Sequence, residues 1–174
     1  LLNYMPLLAK GTLVTLTAWL LAAIISLLIG TCMGIISCRY FEQPRLIMAI
    51  RCYTFIAKGI PAYVQILIAY FVIPAMLGIN VSSFVAAVSA LAFCSSGYIT
   101  EIIRAGINTI TREQWNACFA LGYPMKATLI RIILPQVFTN TLPTLLGEME
   151  QLLKSTALLA TIGVTELTRS GMNI

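Results

Sequence analysis

The amino-acid sequence predicts an all-α membrane protein in which a bundle of helices crosses the bilayer several times. Composition is the first sign: 59% of the 174 residues are hydrophobic, 10% are charged, and the mean hydropathy is +0.92. Soluble domains are closer to roughly half apolar and a quarter charged. Long uncharged stretches are the second sign, and basic residues placed between those stretches are the third.

Four stretches are apolar enough to be spans, for which about 20 residues are needed. They are residues 13–36, 61–77, 81–99 and 132–153, the last of which is interrupted by Glu148 and Glu150. Residues 155–164 are also apolar but too short to cross, so they either form a re-entrant segment or extend the fourth span.

Basic residues set the predicted orientation, because cytoplasmic loops of membrane proteins carry an excess of Lys and Arg. The connection 78–83 has no charge, whereas the connections on either side are basic. The first holds Arg39, Arg45, Arg51 and Lys58 against Glu42, and the third holds Arg104, Arg112, Lys126 and Arg131 against Glu113. The N-terminus is therefore expected outside, and the first and third connections in the cytoplasm.

Small residues in two spans predict close helix packing. Gly30 and Gly34 form a GxxxG pair, which lets helix backbones approach closely. Packing within one subunit is the preferred interpretation, and a dimer interface is the alternative. The third span is rich in Ala, Ser and Gly between residues 86 and 97, which favours packing over a polar pathway.

Charges within the spans are costly, at least about 3 kcal/mol near the bilayer centre, and usually face a bundle interior or an aqueous cavity. Helical spacing predicts ion pairs between Glu101 and Arg104 and between Glu150 and Lys154. Glu148 has no obvious local partner, so its carboxylate is a candidate to meet the amino or guanidinium group of a cationic solute. A purely structural ion network is the alternative.

Enzyme chemistry has few candidate residues in this chain. It has no His, its six acidic residues are all Glu, and its five Cys form no CxxC pair, so no metal or redox site is predicted. A GxxxxGK[ST] phosphate loop is absent from the sequence, and the basic residues are too scattered to predict nucleic-acid binding. The remaining functions are transport or structure rather than catalysis.

The sequence of the third connection predicts two short helices joined by a turn. Thr111 and Gln114 have the spacing of a capping box, which predicts a helix from Arg112 to about Leu121. Gly122 is placed for a helix C-cap, and Pro124 for the first turn of a second helix over 125–134 that bends at Pro135. Such a pair suits either a groove on a partner protein or the membrane surface.

The same connection resembles the coupling loop of permease subunits of bacterial ABC importers. That family carries E-A-A-x-x-x-G, then nine residues and I-x-L-P. The matching residues here, with the spacing intact, are Asn116, Ala117, Cys118, Gly122, Ile132, Ile133, Leu134 and Pro135. Asn116 replaces the Glu, and Cys118 replaces the second Ala. The stretches 53–74, 97–110 and 152–167 narrow the resemblance to the polar amino acid uptake branch.

The resemblance implies a single permease domain over 1–174, located in a bacterial inner membrane. Its coupling loop would cover about residues 104–134. Loop 111–135 would dock on a cytoplasmic ATPase, which would carry the ATP and Mg²⁺, so no cofactor is expected on this chain. The residues implied for that contact are Trp115, Asn116, Ala117, Cys118, Gly122, Leu134 and Pro135. A second permease subunit, identical or different, and an extracytoplasmic solute-binding protein are the other implied partners.

The resemblance also implies import of polar, including cationic, amino acids, with Glu148, Glu150 and Lys154 as the substrate pathway. Glu148 lies where relatives carry Glu or Gln. The family has a fifth span, which would begin where this chain ends at Ile174, so the sequence is expected to be a fragment. An ATP-independent channel or secondary transporter subunit is the main alternative, and a membrane scaffold is the other.

Overall fold

The computed structural model describes residues 4–38 and 43–174, and every regular element in those ranges is helical. The predicted class is therefore confirmed. Arg39 and Glu42, which were used to assign the first basic connection, lie outside the described residues. In chain order the helices are α1 (Met5–Ile36), α2 (Pro44–Gly59), α3 (Ala62–Leu77), α4 (Ser83–Thr109), α5 (Arg112–Ala120), α6 (Met125–Ile162) and α7 (Leu167–Met172).

Helix α4 is the centre of the bundle, and α1, α2, α3 and α6 all pack against it. Glycines allow the closest approaches. A Cβ added to Gly30 would lie 2.6 Å from Ile99 Cβ, and one added to Gly34 would lie 2.7 Å from Ile103 Cβ. The GxxxG pair thus packs against α4 of the same chain, which confirms the preferred interpretation.

Two further close contacts fix α2 and α6 against α4. An added Cβ on Gly97 would lie 2.7 Å from Ala57 Cβ, and one on Gly106 would lie 2.5 Å from Thr141 Cγ2. The small residues of the third span therefore serve mainly to bring helices together, as predicted, because packing is a principal force between helices in lipid.

Three helices, α1, α4 and α6, are long and apolar enough to cross a membrane, and α2 with α3 provides a fourth crossing if the bent pair is one span. The first basic connection contains a helix that was not predicted, Pro44–Gly59. It ends at Ile60, whose backbone is extended, and α3 departs at 100°. Pro61 explains why α2 ends at this point, because a proline disfavours helical geometry in the residue before it.

Two prolines are accommodated by π-helical turns. The segments Ile68–Val72 in α3 and Thr128–Ile133 in α6 are π-helical, and Pro74 and Pro135 follow them. Proline lacks an N–H and its ring clashes with the carbonyl four residues earlier, a conflict that a wider turn relieves. The predicted separate helix 125–134 is therefore wrong: α6 runs from Met125 through Pro135 without a break.

The last turns of α6 answer the question left open for 155–164. Thr156–Ile162 is a 3₁₀ extension of the fourth span, and Gly163, at φ +87°, ends it. Helix α7 then folds back onto α1. The buried Glu166 carboxylate accepts the backbone N–H groups of Thr168 and Arg169 at 2.8 and 2.7 Å, so it caps α7.

Candidate functional site

One face of helix α5 packs against the helix bundle, and its other face is exposed. Trp115 and Cys118 are 1% and 5% exposed, whereas Asn116 and Ala117 are exposed. The Trp115 ring belongs to an apolar core that includes Ile110 of the preceding connection and residues of α1, α4 and α6. The buried pair therefore sets the position of α5, and the exposed pair is free to contact a partner.

The predicted capping box does not form. Thr111 is the residue before α5, as expected, but its side chain makes no capping hydrogen bond to the helix backbone. Hydrogen bonds from the Glu113 backbone N–H and from the Thr111 hydroxyl instead lower the pKa of the Glu113 carboxyl. Gln114 does not turn back to Thr111, because its amide donates to Gln136 Oε1 of α6 at 2.8 Å.

The turn after α5 is as predicted. Gly122 has φ +80°, a region that non-glycine residues rarely adopt. The Gly122 N–H donates to the Phe119 carbonyl at 2.9 Å, and the Tyr123 N–H to the Cys118 carbonyl at 3.1 Å. This pairing is a Schellman motif, which ends the helix and reverses the chain toward α6.

A two-step hydrogen-bond chain joins α5 to the π-helical turn of α6. Gln114 donates to Gln136, and Gln136 Nε2 donates to the Ile132 carbonyl at 2.7 Å. Leu134 packs against the same core as Trp115, and Pro135 is exposed at the start of the α-helical part of α6. Of the loop residues implied by the resemblance, Trp115 of α5 and Leu134 of α6 are therefore brought into one core. Gln136, which sequence reasoning missed, links α5 to the long helix.

Glu148, on the same helix, lines a cavity of about 420 Å³ beside the break between α2 and α3. The carboxylate is partly buried, and it accepts a hydrogen bond from Ser95 Oγ of α4 at 2.7 Å. Lys58, at the end of α2, and Tyr98 of α4 form further parts of the wall. The other polar side chains that line the cavity are Cys94, Gln151 and Ser155.

The break beside this cavity is held by a buried glutamine. Gln65 is 6% exposed, and its Nε2 donates to the carbonyls of Ala57 and Ile60 at 2.8 and 2.7 Å. Those carbonyls would otherwise lack the helical partners that the bend removes. Broken helices recur at solute sites in transporters, where their ends face the bilayer interior.

Glu150 and Lys154 are not brought to the cavity with Glu148. They form the predicted ion pair, with Oε1 and Nζ 2.7 Å apart, and both side chains are 65% exposed. Glu101 and Arg104 also pair as predicted, with Arg104 Nε 3.1 Å from Oε2. That pair lines a second cavity of about 520 Å³ together with Arg51, Thr54 and Lys58.

Sequence reasoning missed Ser95, Tyr98, Gln65 and Lys58 as members of the site. Lys58 carried the clearest signal, because a charge directly before Gly59-Ile60-Pro61 marks the end of a helix at a break. The other three are ordinary polar residues, and only their position identifies them.

Comparison with known proteins gives one family and several relatives. The family described as "Binding-protein-dependent transport system inner membrane component" matches residues 26–174. GlnP of Rickettsia typhi, provisionally described as a glutamine transport system permease protein, is 39% identical over 92% of this chain and 72% of its own length. The arginine transport system permease protein ArtQ of Bacillus subtilis is 35% identical over 94% of this chain and 74% of its own length.

Solved structures agree in fold. A crystal structure of an amino acid ABC transporter with histidines is similar at a TM-score of 0.86 and 34% identity, covering 97% of this chain and 77% of the other. An inward-facing MetNI methionine ABC transporter has a TM-score of 0.83 at 16% identity, covering 96% of this chain and 79% of the other. At that identity, the second likeness concerns the fold alone.

Proposed function

The chain belongs to the binding-protein-dependent transport system inner membrane components, and from that premise we propose that it forms the translocation pathway of an ATP-driven importer for polar amino acids. It is a multi-pass inner-membrane permease subunit and a transport component, and ATP hydrolysis takes place on a separate ATPase subunit. Family membership favours this function over an ATP-independent channel, a secondary transporter or a scaffold.

The exposed face of α5 is the surface that docks on the ATPase. This proposal rests on the difference between the two faces of α5. Trp115 and Cys118 are buried in their own chain, whereas Asn116 and Ala117 are exposed. A helix whose position is fixed by its own domain can fill a groove on a partner without first becoming ordered, which lowers the cost of binding.

Movement of α5 reaches the cavity through α6. The Gln114–Gln136 hydrogen bond and the packing of Trp115 tie α5 to the start of α6, and Glu148 lies further along that helix. Closure of the ATPase around ATP and Mg²⁺ moves α5, and α6 then tilts between inward- and outward-facing states. This is alternating access about a site within the bundle.

The assembly proposed for this chain has two permease subunits, identical or different, with an ATPase beneath each. A binding protein delivers the amino acid from outside, the N-terminus lies outside, and loop 111–135 is cytoplasmic. Support for the orientation comes from the basic residues of α2 and the loop, including Arg51, Arg112 and Lys126.

Ala117→Arg tests the docking surface. The new side chain would project from the exposed face of α5 without entering the core, so the protein should fold but lose its ATPase. Thr168→Arg is the matched control, because Thr168 is exposed on α7, which packs on the opposite end of α1 from the loop. The measurement is recovery of the ATPase by affinity purification from gently solubilised membranes, together with ATP-dependent uptake in vesicles.

We expect Ala117→Arg to reduce both ATPase recovery and uptake by at least about tenfold, which corresponds to about 1.4 kcal/mol of binding free energy. Thr168→Arg should leave both unchanged. Normal recovery of the ATPase with Ala117→Arg would show that α5 is not the docking surface.

A further inference from the structure

Lys58 occupies an unusual position at the junction of three cavities. It lines the cavity of Glu148, the cavity of Glu101 and Arg104, and a third cavity of about 520 Å³ that extends to Asn140. It is the last basic residue before the break that ends α2. A side chain in this place meets any solute that passes from one cavity to the next.

The ammonium group of Lys58 makes no direct ion pair, although the Glu101 carboxylate is near enough to attract it electrostatically. Arg104 pairs with Glu101 and Lys154 pairs with Glu150, whereas in the part of the chain that the structure describes no carboxylate lies within 4 Å of Lys58 Nζ. Its Nζ lies 5.7 Å from the centroid of the Tyr98 ring, a cation–π contact that holds the side chain against the cavity wall.

We propose that Lys58 binds the α-carboxylate of the amino acid while Glu148 faces its positively charged group. This inference rests on the proposed function and adds the group that recognises the substrate as an amino acid. Lys58 and Glu148 place one positive and one negative side chain on the wall of one cavity. The α-carboxylate and the positively charged group of an amino acid are complementary to these two charges, so a bound amino acid would pair with both side chains at once.

Selectivity follows from the same arrangement. An amino acid whose α-carboxylate is converted to a carboxamide has no negative charge for Lys58, and it would leave that ammonium group unpaired on binding. Sites built for a polar group discriminate strongly against analogues that lack it. The cavity should therefore distinguish amino acids from their α-carboxamides, whatever the amino acid side chain.

Cys94 provides a reporter inside the cavity, because it lines the same wall as Lys58 and Glu148. Replacing Cys32, Cys38, Cys52 and Cys118 by Ala leaves Cys94 as the single thiol among the five cysteines of the chain. In membranes that contain the permease with its ATPase, reaction of Cys94 with methyl methanethiosulfonate is measured by mass spectrometry. The ligands added are L-arginine, L-glutamine and their α-carboxamides.

In the chain that keeps Lys58, we expect at least one of the two amino acids to protect Cys94. Its α-carboxamide should need an about tenfold higher concentration for half protection, as expected for loss of one charge-assisted contact. Lys58→Gln should raise the concentration of the amino acid needed by about tenfold and leave that of the carboxamide unchanged. Lys58→Arg keeps the charge and should retain most of the protection.

Three results are decisive against this inference or its premise. Equal protection of the Lys58 and Lys58→Gln chains by the amino acid would overturn the role of Lys58 and leave the cavity as the solute site. Equal protection of Cys94 by the amino acid and by its α-carboxamide would also overturn the role of Lys58. Absence of protection by any ligand would overturn the assignment of the cavity itself. Folding is checked by the apparent midpoint of thermal unfolding of the purified protein in detergent, which Lys58→Gln should not change because Lys58 is exposed.

Discussion

Glu148 keeps its carboxylate in the cavity through one hydrogen bond from Ser95, at 2.7 Å. A single neutral donor satisfies only part of a carboxylate, which has about four acceptor sites. The remaining oxygen lone pairs are therefore available to a solute that carries N–H donors. Among the acidic residues of the spans, Glu101 and Glu150 already accept from a basic neighbour.

Glu148→Gln should reduce arginine uptake by at least about tenfold, because the amide has no charge to offer to an ammonium or guanidinium group. Glu150→Gln makes the same chemical change two residues away on an exposed ion pair, and it should leave uptake within about twofold, as exposed pairs contribute little. The measurement is ATP-dependent uptake of arginine and glutamine into vesicles.

The response of glutamine identifies the contacted group. An equal fall for glutamine and arginine would place the α-ammonium group at Glu148, and a fall for arginine alone would place the guanidinium group there. Unchanged uptake of both amino acids by both variants would show that neither carboxylate belongs to the pathway. A loss confined to Glu150→Gln would move the pathway to the Glu150–Lys154 pair.

Sequence alone distinguished Glu148 from the Glu150–Lys154 ion pair but kept all three residues in the substrate pathway. A helix turns about 100° per residue, so Glu148 and Glu150 lie about 200° apart and only one of them faces a given neighbour. Glu150 and Lys154 fall on one side, which predicted their pairing. The choice of Glu148 for the cavity depends on Ser95 and Lys58, whose positions come from other helices.

At the scale of elements, the turn at Gly122 was predictable and the course of α6 was not. A glycine after a helix, followed by a proline, predicts a helix C-cap; that prediction is confirmed, and the turn proves to be a Schellman motif. Pro135 is compatible with either a bend or a π-helical turn, because both relieve the steric conflict between the proline ring and the preceding helical turn. Packing of Leu129 and Ile133 in the core beside Trp115 favours the continuous helix.

Gly122→Ala should lower the stability of the protein by about 1 kcal/mol, because alanine is disfavoured at positive φ. Gly147→Ala is a matched change within α6, where an added Cβ would meet nothing within 4 Å. It should raise stability by about 0.5 kcal/mol, through its better helix propensity. The measurement is the apparent midpoint of thermal unfolding of the purified protein in detergent.

Opposite signs for these two variants are the expected result. A higher midpoint for Gly122→Ala than for the unchanged protein would contradict the requirement for glycine in this turn. A lower midpoint for Gly147→Ala would show that this position is crowded in the assembled protein.

For the whole molecule, sequence patterns were enough for the class, the approximate spans and the family. They missed the 100° angle between α2 and α3, because the rule for residues before proline predicts only that the helix stops at Ile60. The angle depends on Gln65, Ala57 and Gly97, which lie on three different helices. Nothing local in the sequence relates those three positions.

Orientation in the membrane can be tested with two cysteines in a chain that lacks the native ones. Ile79→Cys lies in the uncharged connection between α3 and α4, and Lys126→Cys lies at the start of α6, both at exposed positions. A membrane-impermeant thiol reagent applied to intact cells with a permeabilised outer membrane should label Ile79→Cys only. Lys126→Cys should react only after the inner membrane is opened, and the reverse pattern would invert the proposed topology.

The glycine contacts between α1 and α4 also divide the molecule into stationary and moving parts. Ile99 and Ile103 lie directly against the backbone of Gly30 and Gly34, so rotation of either helix would drive a side chain into a main chain. The three cavities that share Lys58 are all lined by α2 and α4, two of them also by α6, and the cavity of Glu148 also by α3. Helices α2 and α6 each meet α4 at a single close glycine contact, at Gly97 and Gly106, about which a helix can still tilt. We therefore expect α1 and α4 to stay fixed relative to each other during transport, while α6 and the α2–α3 pair tilt against them.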